Sequence, residues 1–352
     1  MGKLAIYKYI SFMILVISML LAIFTLFGLF GGAVNPATGT AMALLVFALP
    51  ILIIGNVVMF LYWLICRKWI WLCIPTVALL CSIPYIGTTY QAGWFSGESS
   101  NTTGLKIATY NVESFGREIS GFKAEDILTE MKRQGVDILC LQEYSEHSGN
   151  KLNSESYKTY FPYLVMGRND MAIYSRYPLG QSQIIDFGAT NNSGMWVDVK
   201  VNGKEMRIFN VHLETTGLNR TLRHVAKEKA KGGNIEENAL VKAVYGNYTR
   251  GMAIRAQQAE QVAREIQDAG KPVIVCGDFN DVPYSYVYNT MLGELVDGFK
   301  ECGKGFMYTM RGRKFKVRID YIFHSEELAG ETYYKIEMNY SDHYPVFMKI
   351  AL

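Results

Sequence analysis

Two uncharged apolar stretches near the N-terminus, Ile10 to Phe30 and Ala41 to Ile65, constrain this chain more than any other feature. Each reaches the roughly 20 residues that an α-helix needs to cross about 30 Å of hydrocarbon, so both are expected to span a membrane. A third stretch, Trp69 to Tyr85, is shorter and carries Pro75 and Pro84; it reaches spanning length only when continued through Tyr90. A cleaved signal peptide accounts poorly for the first stretch, which is too long for such an apolar core and is closely followed by a second span.

Charge gives the orientation. Lys3 and Lys8 precede the first stretch, Arg67-Lys68 separate the second from the third, and residues 31–40 carry no charge. Basic residues stay on the cytoplasmic side. The expectation is an anchor over residues 1–90 with three transmembrane helices, a polar linker over 91–104, and a domain over 105–352 on the outer face of the cytoplasmic membrane, periplasmic in a Gram-negative cell. Were the third stretch not to span, that domain would face the cytoplasm.

Of 35 basic and 32 acidic residues, only Lys3, Lys8, Arg67, Lys68 and Glu98 precede Leu105. The remainder is balanced and lacks the broad positive field of a protein that grips nucleic acid non-specifically. Its length suits one domain with a large core. Cys66, Cys73 and Cys81 fall in the anchor, leaving Cys140, Cys276 and Cys302 without metal-ligand spacing. Inert buried thiols are expected, and no disulfide framework is implied.

Trp94 and Phe95 are rings suited to a membrane interface. Beyond the linker, Leu105 to Asn111 and Val136 to Gln142 are apolar strand candidates around an amphipathic helix, Phe122 to Gln134, stopped by Gly135. Met171 to Ser175 is a further short apolar run. Asn202-Gly203, between the runs Met195 to Val201 and Glu205 to Val211, is a strong hairpin signal. Ile254, Gln258, Val262 and Ile266 form a helical stripe closed by Gly270 and Pro272, before a buried strand at Val273 to Cys276. A second hairpin is expected from Phe306 to Phe323, turning near Arg311-Gly-Arg-Lys314, and a last strand near Val346 to Ile350. This order predicts an α/β (α+β) domain of two packed sheets covered by helices.

Polar residues cluster at the ends of these apolar runs: Thr109-Tyr-Asn-Val-Glu113, Cys140-Leu-Gln-Glu-Tyr144, Cys276-Gly-Asp-Phe-Asn-Asp281 and Tyr340-Ser-Asp-His-Tyr344. Phosphoester hydrolysis needs a positioned cation, an activated water and donors for the charge developing on phosphoryl oxygens. Glu143, closing a buried strand, suits a hard-cation ligand, and Mg²⁺ is often held by only one or two carboxylates. Asn111 and Glu113 stand where they could complete or orient that shell. Asp278 offers a carboxylate for water, and Asn280, two residues on, an amide for the phosphoryl group. Asp320 lies inside an apolar run, where a lone carboxylate is costly unless paired, and His343 is the natural partner. His212 is a second imidazole at a strand end. Singly, each has an ordinary structural explanation as a turn cap or core polar group; one divalent-ion site accounts for all of them together.

The motifs Tyr110-Asn111-Val112, Leu141-Gln142-Glu143, Ser175-Arg176-Tyr-Pro178 and Asn210-Val-His212 are followed by Gly277-Asp278-Phe-Asn280, Arg318-Ile-Asp320-Tyr and Ser341-Asp342-His343. In this order, residues from about 105 to 352 resemble the endonuclease/exonuclease/phosphatase superfamily, which includes pancreatic deoxyribonuclease, abasic-site endonucleases, neutral sphingomyelinases and inositol-polyphosphate 5-phosphatases. The resemblance implies a four-layer αββα sandwich preceded by the transmembrane helices, and a site where the strand ends of its two sheets meet. It also implies that Glu143 and Asn111 hold Mg²⁺ (or Mn²⁺), that Asp278 positions the water, and that Asn280 contacts the phosphate. Asp320 then supports His343, His212 contacts phosphate or leaving group, and Asp342 aids the metal or the histidine. Abasic-site endonucleases generally have tyrosine in place of His212, which disfavours DNA repair; the tryptophan motifs of inositol 5-phosphatases are absent at Val275-Cys276-Gly277 and Val317-Arg318-Ile319.

Thr216 to Gly251 resembles an insertion, with Arg220, Arg223, Lys227, Lys229, Lys231, Lys242 and Arg250 against Glu228, Glu236 and Glu237. A solvated helical hairpin explains such a pattern; a lid holding anionic substrate at the membrane is the sharper alternative. The whole predicts a membrane-anchored, Mg²⁺-dependent phosphoesterase that prefers phosphodiesters. Its expected partners are the bilayer and a phosphate ester, either lipid headgroup or nucleic acid, with no obligate protein partner. The alternatives are a phosphomonoesterase on lipid or inositol phosphates, an extracytoplasmic nuclease, and a non-enzymatic binding scaffold.

Overall fold

Ser11, Ser18 and Thr25 recur at heptad spacing along the first apolar stretch, as do Asn56 and Trp63 along the second, and all five are buried. A computed structural model of the chain describes residues 3–93, 104–113, 124–144, 155–168, 171–188, 190–215, 225, 237–311 and 316–352. In it, α1 (Lys3–Gly31) and α2 (Thr40–Ile65) pack side by side in opposite directions. Asn56 Nδ2 donates to Thr25 Oγ1 at 2.8 Å and Trp63 Nε1 to Ser18 Oγ at 3.3 Å. Between helices this apolar, such bonds are worth roughly 1 kcal/mol each.

Ile6–Gly31 and Thr40–Ile65, 26 residues each, are long and apolar enough to cross a membrane. The third expected span is broken, because α3 (Trp69–Cys81) and α4 (Ile83–Thr89) meet at a 44° bend. Pro84 has no N–H for the Leu80 carbonyl and its ring crowds the preceding turn. Trp94 and Phe95 lie outside the described residues.

The remaining elements begin with β1 (Tyr90–Gln91), β2 (Gly104–Asn111), α5 (Ala124–Gln134), β3 (Ile138–Gln142), α6 (Glu155–Tyr160), β4 (Tyr163–Met166) and β5 (Ala172–Ser175). Then come β6 (Leu179–Asp186), β7 (Ser193–Val201), β8 (Lys204–His212), α7 (Glu237–Gln267), β9 (Val273–Asp278) and α8 (Tyr286–Leu292). The chain closes with β10 (Val296–Asp297), α9 (Gly298–Cys302), β11 (Gly305–Phe306), β12 (Asp320–His324), β13 (Ala329–Lys335) and β14 (Val346–Ala351).

Two six-stranded sheets result, ordered β13-β14-β2-β3-β5-β4 and β10-β12-β9-β8-β7-β6. Leu105, Ile107, Ile138 and Cys140 of the first sheet meet Val197, Ile208, Ile274 and Ile322 of the second in one buried cluster. The opposite faces are covered by helices: Ile127, Leu128 and Met131 of α5 pack on Tyr110, Leu139 and Leu141, and Ala259 and Val262 of α7 on Phe209, Val275 and Tyr321. This is the expected αββα order. Central strands covered on both faces read as continuous apolar runs, which is why they were legible. Val201 pairs with Lys204 across Asn202 (φ 51°) and Gly203 (φ 85°), a two-residue turn with both residues left-handed. Cys140 and Cys276 are buried free thiols.

Two expectations need correction. The run Phe306 to Phe323 is not one hairpin: β11 pairs with β1, and β12 with β9 and β10. The chain does return, since Thr309 and Met310 both donate to the Val317 carbonyl. The ladder then gives way because Thr309 Oγ1 takes the backbone N–H groups of Ile319 and Asp320. Residues 312–315 lie outside the described residues. The segment 216–251 is likewise not a unit apart, since its last part, from Glu237, is continuous with the following helix in the 31-residue α7; residues 216–224 and 226–236 lie outside the described residues.

The N-terminal helices are also fastened to the two-sheet domain away from their covalent junction. Asn35 Nδ2 donates to Glu260 Oε1 at 2.8 Å, and Asn289 Nδ2 to the Gly32 carbonyl at 2.9 Å. Gly32 is required there, because a Cβ would stand 2.1 Å from the Tyr284 carbonyl oxygen. Tyr85 packs edge-on against Tyr284. The buried Arg318, paired with Asp297, donates to the Thr88 carbonyl at 2.9 Å.

Candidate active site

β8, β9 and β12 lie side by side, and their register sets both His212 and Asp320 opposite Asp278. In the facing sheet β2 ends on Asn111, paired with Gln142 of β3, and Glu143 follows at once. Residues remote in sequence therefore meet at one edge of the inter-sheet space. Asn111 Nδ2 donates to Asp278 Oδ2 at 3.0 Å and to Glu143 Oε1 at 3.2 Å, tying the two sheets together. His212 Nε2 is 3.8 Å from each of the same two oxygens and is buried without a hydrogen-bond partner. His343 Nδ1 is held by both oxygens of Asp320, at 3.0 and 3.2 Å, and its Nε2 stands 3.7 Å from Asp278 Oδ2.

Asn280 joins at the rim: its backbone N–H donates to Asp278 Oδ1 at 2.8 Å and its side chain to the Leu213 carbonyl at 2.9 Å. Asp342 Oδ1 lies 3.8 Å from His343 Nε2, with its side chain 38% exposed. Glu113 contributes its backbone N–H to Asn111 Oδ1.

The backbone is bent to make this meeting possible. Gly277 has φ +147°, and a Cβ there would lie 1.9 Å from the Val211 carbonyl oxygen, so only glycine lets β9 lie this close to β8. Glu143 (φ 52°) and Asn280 (φ 51°) are left-handed, a conformation costing about 1–2 kcal/mol for a residue with a Cβ. Strain of this kind persists where the surroundings over-determine it, commonly at functional sites.

Sequence reasoning quoted Gln142, Asn210, Ser341 and Asp281 within motifs but gave no role to the residues that brace the site. Gln142 Nε2 donates to Asn210 Oδ1 at 2.7 Å, and Asn210 Nδ2 to the Leu141 and Ala172 carbonyls, a buried polar clamp between the sheets. Ser341 Oγ donates to the Asn111 carbonyl at 2.7 Å and accepts the His343 N–H. Buried Arg255 of α7 pairs with Asp281 at 3.2 Å and donates to the Glu214 carbonyl, bracing the loop that carries Asn280. A signal existed for Gln142 and Asn210: each is an amide inside an apolar run, close to a candidate ligand.

Residues 108–343 match the Endonuclease/Exonuclease/phosphatase family. The chain belongs to that family. It is accordingly a metal-dependent hydrolase of phosphoric esters. Solved structures with the same fold include D. rerio TDP2 in complex with a single-strand DNA product (17% identity, TM-score 0.53, covering 71% of this chain and 100% of that one). The human Nocturnin catalytic domain with bound sulfate is similar (17%, TM-score 0.52, 74% and 99%), as is a mannosyl-6-phosphatase of Bacteroides thetaiotaomicron (17%, TM-score 0.50, 70% and 100%). Residues 11–89 match a second family, a domain of unknown function designated DUF8431. No curated protein matches the chain.

The electrostatics of this family member centre on Asp278. Burial, then repulsion from Asp320, pushes its carboxyl up to about 6, with His343, His212 and the Asn111 hydrogen bond acting in the opposite sense. Burial disfavours the charged form of His343, but Asp320 and Asp278 outweigh it and hold the imidazole well above its ordinary range. Protonated His343 thus supplies the positive charge that the buried triplet Asp278–Asp320–His343 needs, although its ligand atoms lie within 4.8 Å of one another. Between Glu143 and Asp278 lie the neutral Asn111 amide, bonded to both, and His212 Nε2, 3.8 Å from each. The converging carboxylates of Asp278 and of the partly exposed Glu143, with an amide that can present its oxygen by turning over, form an oxygen donor set suited to a hard divalent cation.

Proposed function

We propose that this chain is a membrane-anchored, Mg²⁺-dependent phosphodiesterase working by in-line attack of water. The observation that carries the reading is the convergence of Asn111, Glu143, His212 and His343 on a single atom, Asp278 Oδ2 or its immediate neighbourhood. Glu143 and Asn111 would hold the cation, with Asp342 near enough to His343 to aid either. Bound there, Mg²⁺ supplies a Lewis acid for the phosphoryl oxygens, and Mn²⁺ can do the same.

The chain's own groups do the remaining work. Asp278, kept near neutrality in proton affinity, orients the attacking water and accepts its proton. Asn280 retains one amide N–H beyond its bond to Leu213, and His212 presents Nε2; both stabilise charge on the phosphoryl group as the bond to the leaving oxygen breaks. Asp320 keeps His343 oriented and protonated, as a donor beside Asp278.

The anchor contacts support the outward orientation. Asn35 in the α1–α2 turn and Thr88 at the end of α4 both bond to the soluble domain, so both ends of the α2–α4 path lie on its side of a membrane crossed by α1 and α2. Arg67 and Lys68 then lie on the opposite, cytoplasmic face, and α3 with α4, about 30 Å of helix at 1.5 Å per residue, makes the return crossing. Tethering favours a lipid headgroup over nucleic acid as the source of the ester. Asp278→Ala and His343→Ala in the full chain should each abolish Mg²⁺-stimulated hydrolysis of a simple phosphodiester while leaving the fold intact; full activity in either refutes the assignment. Turnover of sphingomyelin, phosphoinositides, RNA and plasmid DNA by the wild type then identifies the substrate class.

A further inference from the structure

The C-terminal half of α7 is buried against its sheet through Met252, Arg255, Ala256, Ala259 and Val262, whereas none of residues 241–250 is buried. That first half is an overhang of about 20 Å at 1.5 Å per residue, and a helix of this length without a partner is marginal in water. At 100° per residue, Val241, Val244, Tyr245 and Tyr248 fall within an arc of about 100°, with Lys242 and Arg250 outside it. Val241 is 65% and Tyr245 55% exposed.

Two contacts give the direction of this arm. Glu260 of α7 bonds Asn35 in the α1–α2 turn, and about 18 Å earlier along α7 Tyr248 packs edge-on against Phe47 of α2, ring centroids 5.7 Å apart. Phe47 is about 10 Å down α2 from its start, so α7 descends beside α2 toward its own N-terminus. The 26 residues of α2 make about 39 Å of helix against about 30 Å of hydrocarbon, which sets Phe47 near the boundary between headgroups and acyl chains. The apolar face of the arm is there continuous with the exposed apolar surface of α2, which includes Ile51 and Ile54.

We infer that residues 241–248 of α7 form an interfacial helix whose apolar face is covered by lipid of the outer leaflet, with Lys242 and Arg250 reaching the headgroups. The inference rests on the reading that α1 and α2 span the membrane. Its consequence is mechanical: the same helix carries Arg255, which braces the loop bearing Asn280, so the bilayer and the site are joined by one rigid element.

The test uses the full chain in phosphatidylcholine vesicles, with Cys66, Cys73 and Cys81 changed to serine and the buried cysteines retained. Nitroxide labels are introduced one at a time through Val241→Cys, Tyr245→Cys, Lys242→Cys and Ile54→Cys. Oxygen collisions should exceed those of a water-soluble nickel complex at Val241, Tyr245 and Ile54, with the order reversed at Lys242. Nickel-dominated collisions at Val241 and Tyr245 while Ile54 stays in hydrocarbon overturn the inference and leave the anchor intact. A water-exposed Ile54 overturns the spanning reading beneath it. Dipolar broadening at Tyr245 with protection from both reagents shows a second copy covering the face, and also overturns it.

Discussion

Asp278→Asn should make the metal-free protein more stable and inactive at once. The carboxyl of Asp278 is raised from 3.8 to about 6, first by burial and then by the opposing Asp320. A carboxyl raised in the folded state contributes stability that is present below the unfolded value and lost as pH rises through the folded one. The rise corresponds to roughly 3 kcal/mol, given up between about pH 4 and pH 6. Asparagine does not titrate and fills nearly the same volume, but its one carbonyl oxygen can replace only one of the two carboxylate oxygens that accept from Asn111 and from the Asn280 N–H. The raised value already nets the attraction of His343 and His212, and the accepting oxygen that asparagine lacks makes the roughly 3 kcal/mol an upper bound on the gain. For a domain of this size the midpoint should rise by about 3–10 °C at pH 7.5, measured by scanning fluorimetry in detergent with chelator present. The advantage over wild type should shrink to nothing near pH 4. Hydrolysis should vanish, because the variant cannot accept a proton from water. A variant no more stable than wild type at pH 7.5 without metal, or one that keeps its turnover, would refute the argument.

Other perturbations test other parts of the site. Gly277→Ala drives a methyl against the Val211 carbonyl and should cost more than about 4 kcal/mol, beyond the ordinary range for a point substitution, read as loss of a cooperative unfolding transition. Asp320→Asn removes the charge that orients His343 and should lower kcat by about 10²–10⁴-fold; since the raised proton affinity of His343 then falls, the alkaline limb of the pH–rate profile should move to lower pH. Glu143→Gln should raise the Mg²⁺ concentration for half-maximal activity at least about tenfold, as a metal titration would show. Gln142→Leu strands the Asn210 amide oxygen between the sheets and should cost about 1–3 kcal/mol, with activity falling in step with stability.

Much of the fold was legible because its central strands are covered on both faces and its hairpin turn has a distinctive residue pair. The apolar run at Val273 to Cys276 and the stripe from Ile254 to Ile266 announce strand and helix before any contact is known. The site was legible as a set of residue types at strand ends. Less visible were Arg255, which reads as one exposed charge among several on a long helix, and Thr309, whose hydroxyl replaces the expected ladder near Asp320.

Sequence by itself determined which segments are helix, strand or membrane-like, because hydrophobic period and turn chemistry act over a few residues. It also determined the family. Only tertiary structure decided that Asp278 lies between His212 and Asp320, since a one-residue slip of β9 would turn its side chain to the opposite face of the sheet. Only tertiary structure, too, joined the α1–α2 turn to α7 and α8, through Asn35 and Gly32. Register and docking are properties of pairs of segments, and the free energy that selects them exists only once both partners have folded.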